Sequence, residues 1–212
     1  MPWAGTITQL GERIERSASH DGPDASRFWW HHVIAPHAPL RALPSGQRYT
    51  TTEAGLFAHD GLGDTWASHD PTVRIQRQRH LAQLVAIDGE IGELIDSMER
   101  SGVWDEALVV VMADHGASFR VDTPRRSVLE TTANDIYRVP LWVREPGQAS
   151  GVVRTEAAFL VDIAPTILAF AGVETGWEFD GLDLLDPDLP VDRDHRVIEP
   201  LCCTDAPIDT DP

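Results

Sequence analysis

The sequence has no lysine. All 17 of its basic residues are arginine, set against 34 acids, and the formal net charge is −17. That shortage of positive charge excludes a general binder of the nucleic-acid backbone, which an acidic surface repels. It equally excludes a chain that lies on an anionic membrane. Cysteine is nearly missing. Cys202 and Cys203 are adjacent, so a bond between them would be strained, and no C-x-x-C pair or zinc-finger spacing exists. No redox compartment follows. The longest uninterrupted apolar run, Ala107 to Ala113, suits one strand and falls far short of a membrane span. Met1 to His20 carries Glu12 and Glu15 and has no continuous apolar stretch, so it does not read as a secretory signal. The expectation is a soluble chain without an export address. Dinucleotide-binding, phosphate-loop, serine-hydrolase and H-E-x-x-H motifs are all missing, and Asp183, Asp186 and Asp188 do not have EF-hand spacing.

What is present suffices for a folded domain. The 212 residues are 42% apolar, enough for one sizeable domain or two small ones and for a packed core. Charge gathers at one end: Glu174 to Pro212 holds 12 acids, 2 arginines and 5 prolines, which predicts a loosely packed or lid-like tail. We divide the chain at this shift, with a main domain over residues 1–185 and an acidic, proline-rich tail over 186–212. There is no internal repeat.

Periodicity supplies the elements. Ile7, Leu10 and Ile14 mark a weak N-terminal helix. Phe28 to Ile34 is aromatic and β-branched and reads as a strand that ends at Pro36 and Pro39. Arg41 to Asp70 lacks periodicity and reads as a long functional loop. Pro71 to Arg100 is the best helix, with Asp70 as N-cap and Gly102 as stop. Its inner face is expected along Leu81, Leu84, Val85, Asp88, Ile91, Leu94, Ile95 and Met98. Ala107 to Ala113 reads as a strand buried on both faces, and Val139 to Arg144 as a further strand that Pro140 starts or puts at an edge. Asp162 to Ala171 is a helix capped by Asp162 and ended by Gly172. Val197 and Ile198 suggest a short last strand. Strands alternating with helices predict an α/β fold with a largely parallel sheet.

Three constellations can carry chemistry. Asp114-His115-Gly116 directly follows the apolar strand, where open α/β sheets bind ligands. A carboxylate beside an imidazole can hold one divalent cation, and Gly116 lets the backbone turn sharply. A strand-ending turn satisfied by backbone groups explains the tripeptide equally well. His37 lies between Pro36 and Pro39, which stiffen the chain around it. A rigid imidazole suits a donor to an anionic oxygen or a general acid; an idle histidine in a proline-rich loop is the plain alternative. His31 and His32 fall on opposite faces of the expected strand, so at most one serves a site. Arg120, Arg125 and Arg126 offer forks for phosphate or sulfate, or are ordinary surface arginines. Asn134-Asp135 could orient their loop or cap a turn.

The order of these pieces resembles a known family. Pro36-His37-Ala38-Pro39 is followed by the helix, then the strand with Asp114-His115-Gly116, then Arg138-Val139-Pro140-Leu141. Val161 to Thr166 (VDIAPT) and Asp180 to Leu184 (DGLDL) come last. This string resembles the C-terminal half of the sulfatase family, within the alkaline phosphatase superfamily. Pro36 to Tyr49, Gln76 to Leu84 and Ala113 to Arg120 are most similar to actinobacterial membrane-anchored sulfatase-like proteins. The resemblance implies an alkaline-phosphatase/sulfatase-like α/β fold, a mixed sheet flanked by helices that lacks its N-terminal half. Residues 1–185 would then be a partial catalytic domain. It implies a divalent cation (Mn, Mg, Ca or Zn) on Asp114 and His115, with His37 catalytic and Arg125, Arg126 and His32 contacting substrate. His115 is nearer the phosphatase and phosphoglycerol-transferase pattern, since sulfatases often carry Asn there. The substrate class would be a sulfated or phosphorylated small molecule, glycan or lipid, and the parent proteins are membrane-anchored with an extracytoplasmic domain. The family's nucleophile motif, C/S-x-P-x-R, and its lysine have no counterpart here. The chain is therefore expected to be inactive alone, with an N-terminal half on another chain as partner. The rival expectation is a non-catalytic pseudoenzyme or truncated binding module of the same fold.

Overall fold

The computed structural model describes residues 5–20, 26–48, 65–66, 70–191 and 193. They form two compact units, Met1–Ala107 with Ala117–Ser127, and Leu108–Gly116 with Val128–Pro212. The α/β class holds: the described elements are four α-helices, one 3₁₀ turn and a two-stranded sheet.

The first unit is built on two helices, α1 (Thr6–His20) and α2 (Asp70–Arg100). Ile7, Leu10 and Ile14 are buried, as their spacing predicts. Gly5 N and Ile7 N donate to the Glu90 carboxylate at 2.6 and 3.2 Å, Thr8 Oγ1 donates to Glu93 at 2.7 Å, and Arg100 Nη2 reaches Glu15 at 2.7 Å. The sequence offset stays at 83 to 85 along this contact, so the helices run parallel. Glu90 acts as an N-cap supplied by another helix. It accepts from donors left open in the first turn of α1 and sets a negative charge at the positive end of the helix dipole.

Gly11 lets the helices approach. A Cβ there would lie 2.8 Å from Ser97 Oγ and 2.9 Å from Ser97 Cβ. Alanine would add up to about 1 kcal/mol of helix propensity, but overpacking costs about 1–3 kcal/mol. Gly11→Ala is therefore expected to lower the urea midpoint at unchanged slope, a net loss of about 1 kcal/mol.

The inner face of α2 differs from the expected one. Val73, Gln76, Gln83, Ala86, Ser97 and Met98 are buried, whereas Leu81, Leu84 and Val85 are exposed. Apolar spacing does not mark the buried face in the first half of the helix, because the buried positions there include the polar Gln76 and Gln83. Gly102, with φ +74°, ends the helix, and Trp104 N donates back to Met98 O at 3.1 Å.

Phe28 to Ile34 does not form a strand. Its composition favours one, but a strand requires a ladder partner, and here Phe28, Trp30 and Ile34 are exposed. Trp29 instead packs under the Arg13 guanidinium, 5.3 Å from its ring centre. Of the expected loop, residues 41–48 form a turn closed by an Ala42–Arg48 bridge, while 49–64 and 67–69 lie outside the described residues.

In the second unit β1 (Val109–Met112) pairs antiparallel with β2 (Leu141–Arg144), Val110 opposite Val143. The expectation of a largely parallel sheet, with the first strand buried on both faces, is not met among the described residues. The four residues of β1 are half-buried. Val110, Met112, Leu141 and Val143 cover a core of Ile163, Leu184 and Leu189. Leu189 lies within the acidic C-terminal stretch, yet it is buried. Pro140 directly precedes β2, where its missing N–H costs nothing. Between the strands lies α3 (Ala133–Tyr137). A 3₁₀ turn (Leu160–Asp162) leads into α4 (Ile163–Phe170), and Gly172 follows at φ +64°.

Asp162 does not cap α4 with its side chain. It is fully buried and accepts from Phe159 N at 2.7 Å, Leu182 N at 2.9 Å and both terminal nitrogens of Arg193 at 2.7 and 2.8 Å. Thr166 Oγ1 donates to Asp162 O at 2.6 Å and accepts from Leu184 N at 2.9 Å. A Cβ on Gly181 would strike Val161 O and C. The VDIAPT and DGLDL segments are thus locked to each other through one buried carboxylate. Val197 and Ile198 lie outside the described residues.

Candidate functional site

Candidate residues lie in both units. In the first, His37 is exposed in the Pro36–Leu40 loop. Its Nδ1 lies 2.6 Å from Ala38 O, and its Nε2 lies 3.3 Å from Arg126 Nη1. A carbonyl cannot donate and a guanidinium cannot accept. Both contacts therefore assign the same tautomer: Nδ1–H donates to Ala38, and the Nε2 lone pair accepts from Arg126. The structure brings together two predicted residues 89 positions apart.

Arg125 sits beside them in sequence but faces a different group. Its guanidinium lies 5.5 Å from the centre of the Trp66 ring, a cation–π contact. The backbone of this arginine segment is held in turn. Ser118 N donates to Arg125 O at 2.9 Å, Trp66 Nε1 donates to Ser118 O at 2.6 Å, and Trp66 N donates to Thr123 O at 3.0 Å. Phe119 stacks on Trp66 at 5.3 Å and meets His80 at 5.0 Å. Burial pushes the His80 imidazole below its ordinary value, and a hydrogen bond to the Pro36 backbone opposes that.

His32 is exposed, on a segment that is not a strand, so the expected alternation of His31 and His32 across two strand faces does not apply. His31 is half-buried, and its Nε2 has no hydrogen-bond partner. Burial first, then the nearby Arg13 charge, lowers its proton affinity. Gln83, Trp66, Phe119 and His80 were not singled out from sequence as parts of a site. Gln83 lies outside the apolar stripe of its helix, so no local pattern points to it.

In the second unit Asp114 and His115 follow β1. Their Oδ2 and Nε2 atoms are 3.9 Å apart. His115 N donates to Asp114 Oδ1 at 3.0 Å, and its Nδ1 lies 2.8 Å from Gly116 O. Because that oxygen only accepts, Nδ1 carries the proton and the Nε2 lone pair faces the carboxylate side. Gly116 N donates to Ile136 O at 2.8 Å, and a Cβ on Gly116 would strike the Asp135 carbonyl. The tripeptide is thereby clamped on α3, whose start is set by fully buried Thr132. Thr132 Oγ1 accepts from Leu129 N at 2.9 Å. Asn134 and Asp135 accordingly belong to this support rather than to a loose turn. Asp114 and His115 remain open to solvent, with side chains 77% and 39% exposed.

Comparison with known proteins gives the family. The Sulfatase family model matches residues 7–173, and the chain belongs to the sulfatase family. It is 28% identical over 62% of its length to the multifunctional alkaline phosphatase superfamily protein PehA of Trinickia caryophylli, 26% of which it covers. It is 30% identical to the choline-sulfatase of Rhizobium meliloti, over 93% of this chain and 43% of that protein. The solved phosphonate monoester hydrolase of Silicibacter pomeroyi superposes with a TM-score of 0.50 at 30% identity, over 55% of this chain and 22% of the other. The chain thus spans less than half the length of the curated relatives it matches, from 23% to 43%. No helix among the described residues is long and apolar enough to cross a membrane.

Proposed function

We propose that this chain is the C-terminal portion of a metal-dependent sulfatase-like enzyme that hydrolyses or transfers a sulfate or phosphate ester. The observation that carries the reading is the Asp114–His115 pair. Two donors 3.9 Å apart are within reach of one cation bonded at about 2.0–2.2 Å to each. The Gly116 carbonyl holds His115 as histidine ligands are commonly held, by a hydrogen bond to the ring nitrogen that does not face the ion. Among the described residues no group of three His, Cys, Asp or Glu side chains could complete a shell. The further ligands and the nucleophile would come from an N-terminal portion. When bound, a divalent cation supplies Lewis acidity toward an ester oxygen.

The chain's own residues do the rest. Asp114 and His115 bind, and α3 fixes their turn. Arg126 donates toward the non-bridging oxygens of a tetrahedral anion. His37 Nε2 lies next to that donor, where it can hold or pass a proton at the ester oxygen. Arg125 and His32 would contact the remainder of the substrate. Choline-sulfatase and phosphonate monoester hydrolase, as relatives, support a sulfate, phosphate or phosphonate monoester as the class.

The test joins this chain to the N-terminal portion of a relative and assays aryl sulfate and aryl phosphate esters with Mn²⁺, Mg²⁺, Ca²⁺ or Zn²⁺. Metal-dependent turnover that is lost in the Asp114→Ala, His115→Ala double variant supports the reading. Turnover unchanged in that variant overturns it. Metal binding without turnover at any ester would favour the non-catalytic module.

A further inference from the structure

We propose that Gln83 is the positioning residue of the His37–Arg126 pair: its buried amide fixes the Pro36–Arg41 loop and with it the His37 tautomer. The proposal deepens the functional reading of the same site. Its test, however, reads the imidazole directly and does not depend on turnover or metal.

Gln83 is fully buried on α2, where a polar side chain requires partners. It finds all of them in one loop. Oε1 accepts from Arg41 N at 2.8 Å, and Nε2 lies 3.2 Å from Pro36 O and 3.4 Å from His37 O. The amide therefore grips both ends of a six-residue loop that has no ladder of its own. The orientation is not interchangeable, because the carbonyls need the NH₂ group and the Arg41 amide needs the oxygen. Holding His37 O fixes the His37–Ala38 peptide plane. With Arg41 N held as well, the next peptide unit lies between two fixed points, and its Ala38 O is 2.6 Å from His37 Nδ1. Once Nδ1 carries the proton, Nε2 presents only its lone pair, and Arg126 Nη1 can approach to 3.3 Å. Buried Ala35, Leu40 and Ala42 anchor the loop's flanks. His80 bonds the Pro36 backbone and His37 N donates to Ile34 O at 2.9 Å, but among the described residues Gln83 is the side chain that holds both the Pro36 and His37 carbonyls and the Arg41 amide.

The experiment is a long-range ¹H–¹⁵N correlation spectrum of the histidines in the full chain, with the His37 signals assigned by their loss in His37→Gln. The wild-type protein is expected to show His37 protonated at Nδ1. Gln83→Leu removes all three hydrogen bonds at similar volume. The ratio of Nδ1–H to Nε2–H forms is expected to fall about fivefold, the equivalent of one hydrogen bond's net worth of about 1 kcal/mol. Gln83→Glu guards against simple unfolding. As a carboxylate it faces two carbonyls with no proton to donate and gives the same loss. Arg126→Ala serves as the control, leaving the loop bonds intact and Nδ1 protonated. An unchanged His37 tautomer in folded Gln83→Leu overturns the proposal. So does an Nε2–H form in the wild-type chain. A Gln83→Glu protein that remains folded, by amide dispersion, and keeps the wild-type tautomer ratio also counts against it. None of these outcomes touches the metal reading.

Discussion

Asp162→Ala is expected to remove most of the stability of the second unit, about 3–5 kcal/mol, the usual loss when one partner of a buried ion pair is deleted. Whole domains are stable by only about 5–15 kcal/mol. The reason is the number of groups that depend on this carboxylate. Arg193, whose side chain is 10% exposed, would keep its charge without its bidentate partner. The part-buried amides of Phe159 and Leu182 would lose this acceptor, each costing about 1 kcal/mol. The Arg193 guanidinium also stacks 4.8 Å from the centre of the Phe159 ring, so its displacement loosens the entry to α4. Asp162→Asn keeps the shape and one acceptor oxygen and should cost less. Thermal unfolding followed by circular dichroism ranks the three proteins. A loss below about 1 kcal/mol for the alanine variant would contradict the central place given to this group.

The same carboxylate predicts an acid limit. Burial alone would raise its proton affinity, but Arg193 and the Leu182 and Phe159 amides outweigh burial and hold it below the usual aspartate value. A group with a depressed folded-state pKa stabilises fully above its unfolded value, near pH 3.9, and loses that contribution as pH falls through the folded value. Stability should therefore decline below about pH 4 in the wild-type protein. That part of the decline should be missing in Asp162→Asn, which has no proton to take up at this position. Urea midpoints measured from pH 6 to pH 2.5 check the difference.

The elements that sequence reveals are those fixed by local chemistry. α1, α2, β2 and α4 follow from apolar spacing and from the glycines and prolines at their ends. Gly102 and Gly172 stop helices because their positive φ suits no other residue well. The errors arise where partners decide. Phe28 to Ile34 has strand propensity and no ladder. α2 buries Gln76 and Gln83 and exposes Leu81, because its inner face meets loop backbone as well as apolar side chains. Asp162 reads as an N-cap, but its real partners lie 20 and 31 residues further on. The candidate residues were legible for a different reason. Asp114-His115-Gly116 and Pro36-His37-Ala38-Pro39 are compact strings, visible without knowing the fold. What holds them in place — Gln83 under His37, Trp66 and Ser118 behind the arginines, α3 beneath Gly116 — is assembled from residues far apart in sequence. No local pattern announces such supports.

The second large effect is expected at the metal pair. Mn²⁺ added to the ¹⁵N-labelled chain should broaden the amide signals of Asp114, His115 and Gly116 before any others, because Oδ2 and Nε2 present two donors on one side of the turn. His115→Ala should weaken this more than tenfold. Even a group that only orients a ligand costs about 10–100-fold in affinity when removed, and deleting the donor itself should cost at least as much. Asp114→Asn keeps an oxygen but loses the charge that attracts the cation, so a similar loss is expected. Gly116→Ala separates ligation from support. It leaves both donors in place, but its methyl would enter the space of the Asp135 carbonyl. The turn must then leave α3, and the His115 Nδ1 to Gly116 O bond moves with it. Weakened broadening in Gly116→Ala, with β1 and β2 signals unshifted, would mean that the clamp on α3 sets the ligand geometry. Equal broadening in all four proteins would mean that the ion meets only diffuse negative charge, and the pair would then be no more than a strand-ending turn.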